Sequence, residues 1–171
     1  WSGTYQHMGD ERLQEIEETA LGLPKTQLLA AYVRKHRDLV RPRPAVFMHG
    51  DYHRGNMVVD GQGNLGIIDF DRAKTADPYR EFKCFQWNVL VGPKFASGLI
   101  DGYFDGEIPA DFFPMLALFA AEGLVPYVNW AAPYGEGELT FAIENYHRQL
   151  LWFDDFRREV PTWYVGCAKT E

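Results

Sequence analysis

The polar groups whose types and spacing could work together are few. Asp51 is followed after four intervening residues by Asn56, and Asp69 and Asp71 close a later apolar run. Transfer of a phosphoryl group to a hydroxyl needs such a set. One carboxylate accepts the hydroxyl proton, while an amide oxygen and a second carboxylate hold magnesium against the phosphates. On this pattern Asp51 is the candidate general base. Asn56 and Asp69 are the candidate magnesium ligands, and Asp71 is a third ligand or a support for the other two. His49 joins the catalytic candidates, with orientation of the loop through hydrogen bonds as its expected contribution.

These groups need elements to hold them. From Ala45 to Asp71 the chain alternates short apolar runs with polar breaks, AVFM, HGDYHRGN, MVV, DGQGN, LGII, DFD. That reads as strand, loop, strand, tight hairpin, strand, with the polar residues crowded at strand ends. Short loops held by strands are common places for chemistry. Gly61-Gln62-Gly63-Asn64-Leu65-Gly66 fits G-x-G-x-x-G, but it lies between two strands and after the loop carrying Asp51. A dinucleotide fingerprint needs a strand-to-helix turn, so turn chemistry is the expected use of these glycines.

The protein-kinase catalytic loop has the same Asp-x-x-x-x-Asn spacing ahead of a metal-binding aspartate. His49-Gly50-Asp51 together with Ile67-Ile68-Asp69-Phe70-Asp71 resembles the aminoglycoside phosphotransferase and choline kinase-like family. Ala76-Asp77-Pro78-Tyr79-Arg80-Glu81-Phe82 is similar to that family's Gly-Asp-Pro-x-x-Asp-Leu segment. The resemblance covers residues 45–90. It implies a protein-kinase-like fold, ATP or GTP as phosphoryl donor, Mg2+ as cofactor and a small molecule bearing a hydroxyl as acceptor. His53 matches a second histidine of the family's loop. Arg54 stands where the family commonly has proline, which leaves room for a phosphate or substrate contact. Glu81 replaces the family's aspartate. Asp77 is expected to cap the helix that starts at Pro78.

The rest of the chain is expected to be helical, making the fold class α+β and mostly helical. The expected layout is one domain over 1–171: a helical lead-in over 1–44, the catalytic and metal-binding loops over 45–77, and a helical acceptor-binding part over 78–171. Helices are expected from Asp10 to Leu21 and from Pro24 to Val40, with Leu28, Leu29, Tyr32, Val33 and His36 inward. Further helices are expected from Pro78 to Leu90, from Lys94 to Phe104, from Phe112 to Trp130 with a break or kink at Pro126, and from Glu138 to Arg158. The tail from Pro161 should be loosely held. Arg34, Lys35, Arg37 and Arg41 read as a solvated helix face. Tyr127, Trp130, Tyr134 and Trp152, with Glu122, Glu136, Glu138 and Asp154, fit a helical core and would also suit an amine or quaternary ammonium group.

Composition excludes some classes. The net charge of −7 disfavours a general nucleic-acid binder, which needs a basic face. Phe112 to Ala121, the most apolar stretch, is shorter than the roughly 20 residues of a membrane span. Cys84 and Cys167 fit no metal-ligand spacing and read as free thiols. A cytoplasmic protein is the expectation, with no nucleic-acid or membrane partner.

A kinase of this type also needs a small lobe, with a glycine-rich hairpin and a strand lysine paired to a helix glutamate. Nothing before Ala45 supplies either, so the chain is expected to be the carboxy-terminal lobe of a longer kinase, with little turnover alone. Two other classes remain open. His49-x-Asp51-x-His53 superficially resembles a metal-dependent phosphoesterase triplet, although such a centre needs more ligands, and His7, His36 and His147 lie in no matching motif. A pseudokinase lobe used as a binding module is the other.

Overall fold

The structure, a computed structural model, describes residues 2–166. Cys167 therefore lies outside the described residues. The described chain is mostly helical, with two small antiparallel sheets. It divides into two compact units, one built from 2–42 and 113–162, the other from 43–112 and 163–166.

In the first unit, α1 (Ser2–Glu18) and α2 (Thr26–His36) are joined by a short connection. Helix α1 starts earlier than the cap at Asp10 predicts and stops before Ala20 and Leu21, leaving Leu21 exposed. Lys25 stands in the left-handed region, φ 65°, so α2 begins at Thr26 rather than Pro24. Leu29, Tyr32 and Val33 are buried as expected, but Leu28 faces solvent. The basic face of α2 is solvated and partly paired: Arg34 with Glu17, and Arg37 with Asp10 at 2.6 Å.

Helix α5 (Phe112–Ala131) is the core of this unit, and Met115, Leu116, Leu118, Leu124, Val125 and Val128 are almost wholly buried. It runs through Pro126 without a break. The apolar stretch is therefore longer than the sequence suggests. The segment Phe112–Tyr134 passes the length and composition test for a membrane span, yet 72% of its most apolar window is buried inside the protein, as in a core helix. Helix α6 (Glu136–Trp152) ends before Arg158, because Asp154, Asp155 and Phe156 all take positive φ. Leu151 is exposed, while Tyr146 and Phe153 are fully buried.

The second unit carries the strands. β1 (Val46–Met48) pairs antiparallel with β4 (Lys74–Ala76), and β2 (Met57–Val59) pairs antiparallel with β3 (Leu65–Ile67). β4 is absent from the sequence expectation; it is a polar three-residue run held only by its partner. A 3-10 segment, Pro78–Cys84, leads into α3 (Phe85–Val91), and Pro93 opens α4 (Pro93–Tyr103). Tyr79, Phe82, Phe85 and Val89 are all buried. The tail corrects another expectation. Trp163 is buried and stacks on Phe85 at 5.6 Å, Tyr164 donates to Asp101 at 2.5 Å, and the Val165 amide donates to Ser97 at 3.1 Å.

Candidate functional site

The loop after β1 is fixed from inside by His49. The Asp51 amide donates to its Nδ1 at 3.3 Å, so the ring proton lies on Nε2, which faces the Ile68 carbonyl at 2.8 Å. Both ring nitrogens are thus engaged with backbone, and the ring is buried against Phe70, 4.5 Å away. This placement orients the loop. Gly50 is required: its φ is +79°, and a Cβ there would lie 2.3 Å from the Arg72 carbonyl oxygen. The loop therefore sits directly on the turn after Asp71.

Asn56 closes the loop. Its Nδ2 donates to the Asp51 carbonyl at 2.9 Å, which leaves Oδ1 as the amide atom for a cation. The Ile68 amide donates to the Asn56 carbonyl at 3.0 Å, extending the register in which Met57 faces Ile67. Asp69 thus emerges one residue beyond the position opposite Asn56. It takes φ 64°, a left-handed conformation uncommon for a residue with a side chain and frequent at functional sites. Asp51, Asn56 and Asp69 are brought to the same ends of the strands. Asp71 lies exposed in the following turn.

The Asp51 carboxylate has two neighbours. Cys84 donates its thiol to Oδ1 at 3.4 Å, and His53 Nε2 lies 3.8 Å from Oδ2. Burial pushes the Cys84 thiol up to about 12; the charge of Asp51 adds to this and Lys83 opposes it, so the sulfur stays protonated. Burial, followed by the charges of Lys83 and Arg80, lowers the Lys74 ammonium. Arg72 is also close enough to act on Cys84, where its charge opposes the rise.

Glu81 departs from aspartate without losing a grip on the loop. Its carboxylate accepts from the His49 amide at 2.6 Å and the Gly50 amide at 2.9 Å. Asp77, 1% exposed, caps the next segment by accepting from the Tyr79 amide at 2.9 Å. It also pairs with Arg43, which pairs with Asp111 and stacks on the Tyr79 ring. Burial opposes the Arg43 charge, but the two carboxylates outweigh it and raise the guanidinium. Burial alone would raise Asp111; bonds from Arg43 and Tyr79 reverse this and hold it below the usual carboxylate range.

The hairpin glycines answer to turn chemistry. Asp60 Oδ1 accepts from the amides of Gln62 and Asn64 at 2.8 and 2.9 Å, and Gly63 has φ +87°. Among the described residues no three His, Cys, Asp or Glu side chains gather into a group able to hold a metal. The His49-x-Asp51-x-His53 triplet is thus no multi-ligand centre. A set such as Asn56 with Asp69 is of another kind, since one ligand is an amide and magnesium takes further oxygens from substrate phosphates. Asn88, not among the sequence candidates, donates from Nδ2 to the Tyr52 carbonyl at 3.2 Å and accepts at Oδ1 from the Arg54 amide at 3.1 Å. Its signal was an amide placed between Phe85 and Val89 on a buried helix face.

The phosphotransferase enzyme family matches over residues 5–118. A curated relative, the uncharacterized protein YcbJ of Bacillus subtilis (strain 168), is 31% identical over 67 residues, which are 39% of this chain and 21% of that protein. The match thus spans about a fifth of the relative's length. No solved structure matches the chain. With well over half of its length matched, the chain belongs to the phosphotransferase enzyme family, as the aminoglycoside phosphotransferase and choline kinase-like motifs imply.

Proposed function

We propose that the protein transfers the γ-phosphoryl group of ATP or GTP to a hydroxyl of a small molecule. The observation that carries the reading is the joining of Asp51, Asn56 and Asp69 at one end of the strands through the Asn56–Asp51 and Ile68–Asn56 hydrogen bonds. Asp51 orients the acceptor hydroxyl and takes its proton. Its carboxylate is steadied by the Cys84 thiol. Asn56 Oδ1 and the Asp69 carboxylate hold Mg2+, with Asp71 as a third ligand or support. The ion, when bound, neutralises charge on the phosphates.

The chain acts as the carboxy-terminal lobe of a larger kinase-like protein. Support comes from apolar side chains left exposed in the second unit: Phe47 at 70% and Phe70 at 47%, with rings 6.4 Å apart, and, at the turn end of the hairpin, Val59 at 67% and Leu65 at 58%. A patch of this kind fits a covering partner, here a small lobe carrying the nucleotide-binding hairpin. An amine-bearing compound is one class of hydroxyl acceptor within this reading. The work is placed in the cytoplasm, where nucleotides are abundant.

The test is transfer of labelled γ-phosphate to a panel of hydroxyl compounds, with and without amines, by the protein expressed from its whole reading frame. Asp51→Asn should lower transfer by about 10²–10⁴-fold. Transfer unchanged by that substitution would overturn the assignment, and manganese-dependent phosphatase activity without nucleotide would replace it.

A further inference from the structure

One helical run meets the loop at three points, in the order in which the loop passes them. Glu81 takes the amides of His49 and Gly50, and Cys84 reaches the Asp51 carboxylate. Asn88 then donates from Nδ2 to the Tyr52 carbonyl at 3.2 Å and accepts at Oδ1 from the Arg54 amide at 3.1 Å. The spacing of three and then four residues puts the trio on one helix face.

Asn88 stands out among the three. It is 5% exposed on a face otherwise filled by Phe85 and Val89, where an apolar residue would bury at lower cost. Both ends of its amide go to loop backbone. Between them lies His53, whose backbone is extended at φ −143° and ψ 166°. In an extended chain the carbonyl before a residue and the amide after it face the same side. The Asn88 amide pairs with both and takes the place of a neighbouring strand. The stretch so fixed is the bridge between Asp51 and Asn56. It also sets His53, whose Nδ1 accepts from the Gly55 amide at 3.0 Å and whose Nε2 faces Asp51.

We propose that Asn88 is a positioning residue for the reaction, holding residues 52–54 so that Asp51 and Asn56 keep their working separation. This rests on the reading of Asp51 as the base. Misplacement of a reacting group by about 1 Å can cost about 10²-fold in rate. Asn88→Leu keeps the branched outline in a bulkier side chain and removes both bonds. Asn88→Asp keeps an acceptor for the Arg54 amide and loses the donor to Tyr52.

The experiment measures hydrogen exchange at the Arg54 amide by NMR together with kcat and KM, in the full-length protein. Asn88→Leu should speed exchange at Arg54 by about tenfold, the loss of one hydrogen bond. It should lower kcat by about 10²-fold with KM for nucleotide nearly unchanged. Asn88→Asp should restore protection at Arg54 and part of the rate. Rapid exchange at Arg54 in the unaltered protein, or continued protection in Asn88→Leu, overturns the proposal. So does faster exchange with unchanged kcat. Should Asn88→Leu not fold, Asn88→Asp decides, and a rate equal to that of the unaltered protein overturns it. If the unaltered protein transfers no phosphate at all, the kinase reading fails on its own account. Exchange at Arg54 then still judges whether Asn88 holds the loop.

Discussion

The loop over 49–56 and the helix α5 are ordered by opposite means. α5 is held by apolar packing, with Leu116, Leu118, Leu124 and Val125 each at most 2% exposed. The loop has little apolar surface to bury, and side chains of Glu81, His49, Asn56 and Asn88 take up its backbone groups instead. A dispersed apolar contact tolerates small shifts, whereas a hydrogen bond fails steeply with distance and angle. The helix should therefore answer substitution with lost stability, and the loop with lost geometry.

Substitutions can break or sharpen this contrast. The largest effect belongs to Asp51→Asn, expected to remove about 10²–10⁴-fold in transfer rate while the thermal midpoint stays put. A large fall in midpoint would erase the distinction. Leu118→Ala in α5 should do the reverse: a stability loss of about 2–5 kcal/mol in denaturant titration, with kcat unchanged in the folded fraction. Gly50→Ala tests the boundary between the two behaviours. The added Cβ must displace the Arg72 carbonyl from a left-handed residue, so stability should fall by about 1–3 kcal/mol and activity should fall with it.

Asp69→Gly should separate the two roles within one residue. Glycine accepts φ 64° without the roughly 1 kcal/mol strain of a side chain, so stability should hold or rise while metal-dependent activity is lost. The smallest effect concerns Asp111, whose pKa is depressed in the folded state. Its contribution is present above its ordinary value of 3.8 and is lost as pH falls through the lower folded value. Asp111→Asn should therefore flatten the acid limb of the thermal midpoint below about pH 4, modestly because the carboxyl is half exposed.

The same contrast explains what could be read from the residues alone. The hairpin, the Asp77 cap, the run from Pro78 and the helix from Phe112 are legible because period, caps and turn residues are local. The spacing of Asp51, Asn56 and Asp69 suggests their proposed chemistry, and the Asn56–Asp51 and Ile68–Asn56 hydrogen bonds bring the three to one end of the strands. β4 is not, since Lys-Thr-Ala has no alternation and is a strand only beside Val46–Met48. The end of α6 is hidden because no glycine or proline marks it; three consecutive non-glycine residues turn left-handed instead. The docked tail depends on Phe85 and Ser97, far away in sequence. Glu81 and Asn88 reach the loop across more than thirty residues, which no local pattern records.

The most direct measurement is a titration of Mn2+ as a magnesium substitute, followed by water-proton relaxation in the full-length protein with nucleotide present. Tight binding should be lost in Asn56→Ala and in Asp69→Ala and kept in Asp51→Asn, because in the proposed reaction the first two hold the cation and the third holds the hydroxyl. Binding kept in Asn56→Ala and Asp69→Ala would contradict the shared site, as would binding lost only in Asp51→Asn.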